Sequence, residues 1–161
     1  MNDIKKEQQH RLLCERRDRE FLELYQPTLD ALLERGMPLT RARRAAVEFT
    51  VANGRPHYHV EHERAYRCVC RLMNAHDKGS STARTYRTYH SLDEMSLAKN
   101  RLRRQMWYEI TQRVMALRDR GMSVSQAVDH VLEHCRASRF YITPATALTK
   151  ICTQTRLRAL R

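Results

Sequence analysis

Apolar residues along this chain recur every three or four positions, which is the spacing of one face of an α-helix. The clearest series are Phe21, Tyr25, Leu29 and Leu32, and Met106, Ile110, Val114 and Leu117. Only four glycines and four prolines occur in 161 residues, which leaves little room for a turn-rich β protein. The pattern predicts an all-α fold.

The two helical series belong to a unit that occurs twice. The run Leu32–Ala42 matches the run Leu117–Ala127, with Gly-Met at the centre of both. We interpret each copy as one supersecondary unit: helix, Gly-Met turn, helix, loop with aromatic residues, helix. A residue common to both copies is expected to serve the architecture. A residue confined to one copy is the better candidate for a specific function.

Capping residues predict where the helices begin and end. Gly36 and Gly121 are expected to end the first helix of each unit in the left-handed conformation. Thr40 and Ser125 are expected N-caps of the second helices, and Thr143, followed by proline, is expected to begin the last helix.

Further side chains carry expectations about packing. Pro27 is expected to kink the first helix or restart it near Gln26. Tyr58 and Phe140 are expected to fill the core from the two loops, and Phe49 and Tyr66 are expected to face inward from their helices.

These signals divide the chain into four parts. We predict a helical arm (1–20), a first three-helix unit (21–73), a basic linker containing tyrosines (74–90) and a second three-helix unit with a basic tail (91–161). The predicted architecture is therefore two tandem three-helix units, helix-turn-helix-like in outline, with a helical N-terminal arm.

The charge favours polyanionic partners. Thirty Lys and Arg face 18 Asp and Glu, a net charge of +12. Such a balance suits DNA or RNA better than an anionic membrane surface. No segment resembles a signal peptide or a membrane span. Five cysteines, odd in number and irregularly spaced, indicate free thiols. We expect a cytoplasmic protein with no membrane partner.

The last helix is the predicted base-reading element. In helix-turn-helix proteins the third helix enters the major groove, where hydroxyls and a lysine can bond to base edges. The residues expected to do so are Thr146, Thr149, Lys150 and Thr153. No acidic residue follows Glu133, so Arg139, Arg156 and Arg158 are expected to contact phosphates. The alternative is a helical bundle with a polar outer face.

The linker and the helix after it form a second candidate surface. Arg84, Tyr86 and Arg87 alternate basic and aromatic side chains, which suits phosphate contact with base stacking. Lys99, Arg101 and Arg104 are expected to extend this surface along the next helix. A tether of accidental composition is the alternative.

Arginines also begin the second helix of the first unit. Arg41, Arg43 and Arg44 match the residues Gln126, Val128 and Asp129 of the other copy, so the two copies are expected to present different surfaces. These arginines either bind phosphate or are partly neutralised by nearby acids such as Glu48.

Metal binding and catalysis have weaker sequence signals. Zinc favours imidazole and thiolate ligands, and six such residues cluster in sequence: His57, His59, His62, Cys68, Cys70 and His76. However, side chains two residues apart on a helix point about 200° apart, so the two cysteines cannot share an ion. There is no phosphate-binding glycine loop, HExxH or nucleophile elbow. We predict no metal, no cofactor and no enzymatic activity.

The leading hypothesis is a DNA-binding protein, a small transcription regulator or an accessory factor in DNA transactions. One alternative is RNA binding, in which the linker tyrosines matter most. Another is a non-enzymatic adaptor for an acidic protein partner, or a homodimer, formed through the arm. In that case Leu12, Leu13 and Phe21 are expected to form a continuous apolar patch.

Overall fold

The computed structural model describes the backbone of residues 2–77 and 98–153 and the side chains of residues 3–74 and 101–153, and these parts are helical, with no strand. The helices are α1 (Asn2–Glu34), α2 (Leu39–Asn53), α3 (His62–Asp77), α4 (Ala98–Asp119), α5 (Val124–His134) and α6 (Pro144–Ala147), which continues as a π-helical turn (Leu148–Cys152). The predicted all-α class is confirmed.

The helices assort into two compact units. Unit 1 comprises Met1–His59 together with Ala137–Arg161, and unit 2 comprises Val60–Arg136. In unit 1, α1 packs along α2, and both contact the segment formed by α6 and its π turn. In unit 2, α3, α4 and α5 all pack against one another.

This grouping differs from the predicted division into 21–73 and 91–161, which the structure does not confirm. Each helix pair does pack with a third helix, but α3 completes the pair α4–α5, and α6 completes the pair α1–α2. The apolar face of a helix pair requires a covering helix without specifying which one. Helix α3 packs with the two helices that follow it in the chain, and the loop before α6 lets that helix return to α1 and α2.

The core of unit 1 is built around Phe21. This ring is fully buried and meets Phe140 edge-on at a centroid distance of 5.2 Å. The core as a whole contains Phe21, Tyr25, Leu29, Ala42, Ala46, Val47, Val51, Phe140, Ile142, Ala147 and Ile151. Small alanines on α2 let neighbouring helices approach closely. The predicted core positions of Tyr58 and Phe140 are confirmed.

Two backbone hydrogen bonds hold the returning segment against the end of α2. Phe140 N–H donates to the Val51 carbonyl (3.1 Å), and Ala137 N–H donates to the Pro56 carbonyl (2.7 Å). Gly54 lies between these bonds and is buried. A Cβ atom there would lie 2.3 Å from the Phe140 ring, so only glycine fits at this contact.

The core of unit 2 consists of aliphatic residues and one tryptophan. Its buried side chains are Ala65, Val69 and Met73 from α3, Trp107, Ile110 and Val114 from α4, and Ala127, Val128 and Val131 from α5. The Nδ1 atom of His62 also lies 2.5 Å from the Asp129 carboxylate, without the geometry of a hydrogen bond, where α3 packs against α5.

Several boundary predictions are confirmed and others are wrong. Gly36 (φ 82°) and Gly121 (φ 99°) end their helices in the left-handed region, and Thr143 caps α6. Ser123, not Ser125, caps α5, through a reciprocal pair of bonds with Gln126. Thr40 does not cap α2, which begins after Pro38 without a capping side chain among the described residues.

The predicted restart of the first helix near Gln26 is wrong. Helix α1 runs through Pro27 without interruption. Proline inside a helix costs about 3 kcal/mol. Here Tyr25 and Leu29 are buried on either side of it, and burying two such side chains contributes about 3–6 kcal/mol. The packing of α1 therefore outweighs the local cost.

Two predicted core residues lie at the surface. Phe49 is 47% exposed and Tyr66 is 39% exposed. On α2 the buried face is formed instead by Ala42, Ala46, Val47, Thr50 and Val51. The helix is therefore rotated relative to the predicted stripe, so that its two valines pack inward and its phenylalanine faces solvent.

The predicted apolar patch on the arm is also wrong. Phe21 is fully buried in unit 1, and Leu13 is half-buried. Leu12 is exposed, as is Ile4, eight residues before it. These two side chains do not form a continuous apolar surface with Phe21.

Candidate nucleic-acid interface

Some of the predicted contact residues lie outside the part that is described. These are Arg84, Tyr86, Arg87, Arg156 and Arg158, and for Lys99 only the backbone, within α4, is described. Arg101 is exposed on α4, and Arg104 is half-buried and engaged with other groups. These predictions therefore stay predictions.

Two of the three predicted base-reading threonines use their hydroxyl protons within their own helix. Thr149 donates to the Ala145 carbonyl (2.8 Å), and Thr153 donates to the Leu148 carbonyl (3.1 Å). Thr146 is half-buried and accepts a hydrogen bond from the N-cap Thr143 (2.7 Å). The outward threonine oxygens can still accept hydrogen bonds, and Lys150 is the exposed donor beside them.

Positive charge in unit 1 is concentrated away from α1. Residues 2–34 hold six basic and eight acidic side chains. By contrast, residues 35–59 and 137–153 hold seven basic side chains and one acidic one, Glu48. The seven are Arg35, Arg41, Arg43, Arg44, Arg55, Arg139 and Lys150. Since α2 and α6 pack together, the fold brings these two basic stretches of sequence into one unit.

The basic side chains of α1 and those of α2 and α6 differ in their partners. On α1, Arg11 pairs with Glu15 (3.0 Å), and Arg17 pairs with Asp18 (2.9 Å). Within the described ranges, none of the seven basic residues above forms an ion pair. Their charge is therefore not neutralised by the protein itself.

Arg41 occupies an unfavourable position in the first turn of α2. That turn contains no acidic residue, and the helix has no side-chain cap. A cation at the positive end of the helix dipole costs a few tenths of a kcal/mol, and Arg43 and Arg44 follow in the second turn. The matching end of α5 is instead capped by Ser123 and Gln126. These arginines are thus not explained by the stability of the helix.

The loops that meet at the end of α2 bring two more arginines together. The backbone bonds from Ala137 to Pro56 and from Phe140 to Val51 place Arg55 beside the segment that carries Arg139. Arg55 is exposed, and Arg139 is half-buried and donates through Nε to the carbonyl of Phe140 (3.1 Å). We call Arg41, Arg44, Arg55, Arg139 and Lys150 the α2–α6 surface.

Sequence reasoning named only part of this surface. Arg139 and Lys150 were among the predicted contacts, and Arg41 and Arg44 were noted as a basic cluster. The return of α6 to α2 had no sequence signal, because adjacency along the chain favoured α3 as the partner of α2. The near absence of acidic residues from residues 35–59 and 137–153 was a signal in the sequence that could have identified this surface.

Glu20 forms the main polar cluster of unit 1. Its Oε1 lies 2.5 Å from Nδ1 of His57, and its Oε2 accepts the backbone N–H of His57 at 3.0 Å. His59 Nε2 approaches Oε2 at 2.9 Å, but its direction does not suit a hydrogen bond. Arg16 lies 3.7 Å away. The cluster fastens the loop after α2 to α1.

Burial sets the protonation states in this cluster. Burial lowers the pKa of His59 to about 4, against the opposing effect of Glu20. Burial raises the pKa of Glu20, but the hydrogen bond from His57 and the proximity of His59 more than offset it, so the pKa lies below its usual value. His59 is therefore neutral near pH 7, and its contact with Glu20 is not an ion pair there.

We expect the stability of the fold to fall as the pH drops from about 6.5 to 4. In that range the unfolded chain protonates His59 and the folded chain does not, which costs up to about 3 kcal/mol. Urea unfolding followed by circular dichroism at several pH values measures this. In His59→Gln the loss should be smaller by a similar amount. If the free energy of unfolding of His59→Gln falls with pH as steeply as that of the wild type, the lowered pKa of His59 is contradicted.

The described residues offer no metal centre. Among them, no group of three or more His, Cys, Asp or Glu is arranged to hold an ion. Burial also raises the pKa of the Cys152 thiol, against the opposing effects of Tyr25 and Arg43, so this thiol is a poor nucleophile.

Comparison with known proteins adds no relative. No family model, no curated protein and no solved structure matches this chain. Over the described residues, the helices lack an apolar stretch of the length that crosses a bilayer. A proposal about function must therefore rest on the chain's own charges and contacts.

Proposed function

We propose that this protein binds DNA, and that the α2–α6 surface holds its phosphates. The observation that carries the proposal is the set of seven basic side chains with one acidic neighbour and no ion pair among the described residues. Surface cations without protein partners attract a polyanion, because binding releases the counterions condensed along it. Arg41 and Arg44 contribute from α2, and Lys150 contributes from α6.

The position of the arginines on α2 supports this role. The first-turn N–H groups of a helix and its dipole both favour an anion nearby. Basic residues at that end reduce helix stability slightly but raise the local positive potential. A phosphate beside Arg41 and Arg44 would satisfy both the backbone and the guanidinium groups.

Base selection is a finer part of the proposal. The exposed residues of α6 are Thr149, Lys150 and Thr153. With the threonine protons engaged within the helix, these side chains offer two acceptors and one strong donor. Lys150 can donate to guanine O6 or N7, and the threonine oxygens can accept from exocyclic amines. A role as a transcription regulator or accessory factor depends on such selection.

A salt series tests the phosphate contacts. The affinity of the full chain for duplex DNA should fall with salt with a log–log slope of about −4, as expected for about five phosphate contacts. Replacing Arg41, Arg44 and Lys150 by alanine should reduce the magnitude of that slope by about three, because each phosphate-binding cation accounts for about one. Fluorescence anisotropy with a labelled duplex measures both values.

A matched triple variant removes the same charge elsewhere. Lys5, Lys6 and Arg11 are exposed on α1, where acids balance them, and replacing them by alanine should leave the slope nearly unchanged. Glu48→Gln removes the acid of the basic stretch and should increase affinity about two- to fivefold. If the two triple variants reduce the magnitude of the salt slope equally, the assignment of phosphate binding to the α2–α6 surface is refuted. No binding at low salt would refute the function.

A further inference from the structure

The most exposed aromatic ring of unit 1 lies on the outer face of α2. Phe49 is 47% exposed, although the neighbouring Thr50 and Val51 are buried. A fully buried phenylalanine would contribute about 1.5–3 kcal/mol to folding, and this ring forgoes about half of that. Single exposed apolar residues are common, so exposure alone indicates nothing. The surroundings of the ring carry the argument.

The outer face of α2 carries Arg41, Arg44 and one acid, Glu48, and is otherwise poor in large apolar side chains. Arg41 and Arg44 lie eight and five residues before Phe49, which corresponds to about 12 and 7.5 Å along the helix axis and to about 80° and 140° around it. Ala45 and Ala52 flank the ring on the same side. The other exposed large apolar residue of α2, Leu39, lies ten residues away at the start of the helix.

This combination suits a base better than a protein. Stable protein interfaces bury a broad surface with an apolar centre, whereas one ring between alanines offers too little area. A single exposed ring beside unpaired arginines is the arrangement by which single-stranded nucleic acid is held. The ring stacks on an unpaired base and the cations hold the adjoining phosphates. The positive charge of these arginines therefore specifies a polyanionic occupant with accessible bases.

We propose that Phe49 stacks on an unpaired base of single-stranded DNA, while Arg41 and Arg44 bind phosphates of the adjoining strand on the N-terminal side of the ring. The inference deepens the proposed function and rests on it, because the same arginines must contact phosphate. It assigns to α2 a preference for strands whose bases are accessible.

The test compares an oligo(dT) strand with an abasic strand of equal length, which has the same phosphates and no bases. In Phe49→Ala the affinity of the full chain for oligo(dT) should fall about tenfold, the loss typical of one stacked base. Its affinity for the abasic strand should not change. Leu39→Ala, a change of a similarly exposed residue on the same helix, should leave both affinities unchanged.

A fluorescent variant tests stacking directly. The single natural tryptophan, Trp107, is buried in unit 2 and provides a constant background in the wild type. In Phe49→Trp, the added emission should be quenched by oligo(dT) and not by the abasic strand.

The outcomes separate the two proposals. If Phe49→Ala loses affinity equally for both strands or for neither, stacking is overturned while phosphate binding stands. If Leu39→Ala loses as much affinity for oligo(dT) as Phe49→Ala does, a general apolar contact replaces stacking. If oligo(U) binds more tightly than oligo(dT), the strand is RNA and the DNA assignment is overturned. If the wild type binds neither strand nor duplex at low salt, the proposed function itself fails.

Discussion

Fragments 1–90 and 91–161, expressed separately, should each fail to fold, and mixing them should restore both units. The first fragment contains α1, α2 and α3, and the second contains α4, α5 and α6. Unit 1 needs α6 and unit 2 needs α3, so each fragment lacks one helix of its own unit and carries one helix of the other. Without these helices, apolar faces around Phe21 and Trp107 would be left open to water.

Two spectroscopic signals monitor the folding of the fragments. Far-UV circular dichroism reports the helices of both units, and Trp107 reports unit 2 alone because no other tryptophan is present. The tryptophan emission of fragment 91–161 should lie at long wavelength and shift to shorter wavelength when an equal amount of 1–90 is added. The control is the folded full-length chain cut once between residues 80 and 90. Its two pieces should stay associated.

The opposite result would be equally informative. If each fragment is helical alone and unfolds cooperatively, the predicted units 21–73 and 91–161 exist as folded bodies. The grouping of α3 with α4 and α5 would then be wrong. If only fragment 1–90 is helical, the grouping of helices seen in the structure still requires that its unfolding transition sharpen when fragment 91–161 is added.

The second large effect is expected at Phe140. Phe140→Ala should lower the free energy of unfolding by about 4 kcal/mol, which is typical of deleting a buried phenylalanine side chain. The ring is 3% exposed, packs edge-on against Phe21 and covers Gly54. It also belongs to the segment that returns to α2, so its loss weakens the attachment of α6. Denaturant unfolding monitored by circular dichroism measures the change.

A double-mutant cycle with Gly54 provides the control. Gly54→Ala places a Cβ atom 2.3 Å from the Phe140 ring and 2.7 Å from the Thr50 carbonyl oxygen, and such overpacking typically costs about 1–3 kcal/mol. In a Phe140→Ala background the part of that cost caused by the ring should disappear, and the part caused by the Thr50 carbonyl oxygen should remain. Gly36→Ala, where nothing lies within 4 Å but φ is +82°, should cost about 1 kcal/mol in both backgrounds. Strictly additive costs for Gly54→Ala and Phe140→Ala would contradict the contact.

Particular residues show how far local sequence signals reach. The Gly-Met turns, the Thr143 cap and the buried Tyr58 and Phe140 were predictable because each depends on conformational preference or on the size of one side chain. The continuous α1 was not predictable, because the cost of Pro27 is local whereas the packing that outweighs it comes from other helices. The exposure of Phe49 was missed because α2 has apolar residues on more than one side, and only its neighbours decide which side is buried.

The candidate interface shows the same division. The sequence by itself determined the all-helical class, the strongly basic balance and the shortage of acids in residues 35–59 and 137–153. Only the tertiary structure decided that these two stretches meet, because it pairs α6 with α2 and sends α3 to α4 and α5. The physical reason is that amphipathic faces are interchangeable in composition. Which helix covers which face depends on loop reach and on contacts such as Phe140 against Gly54, and periodicity does not encode these.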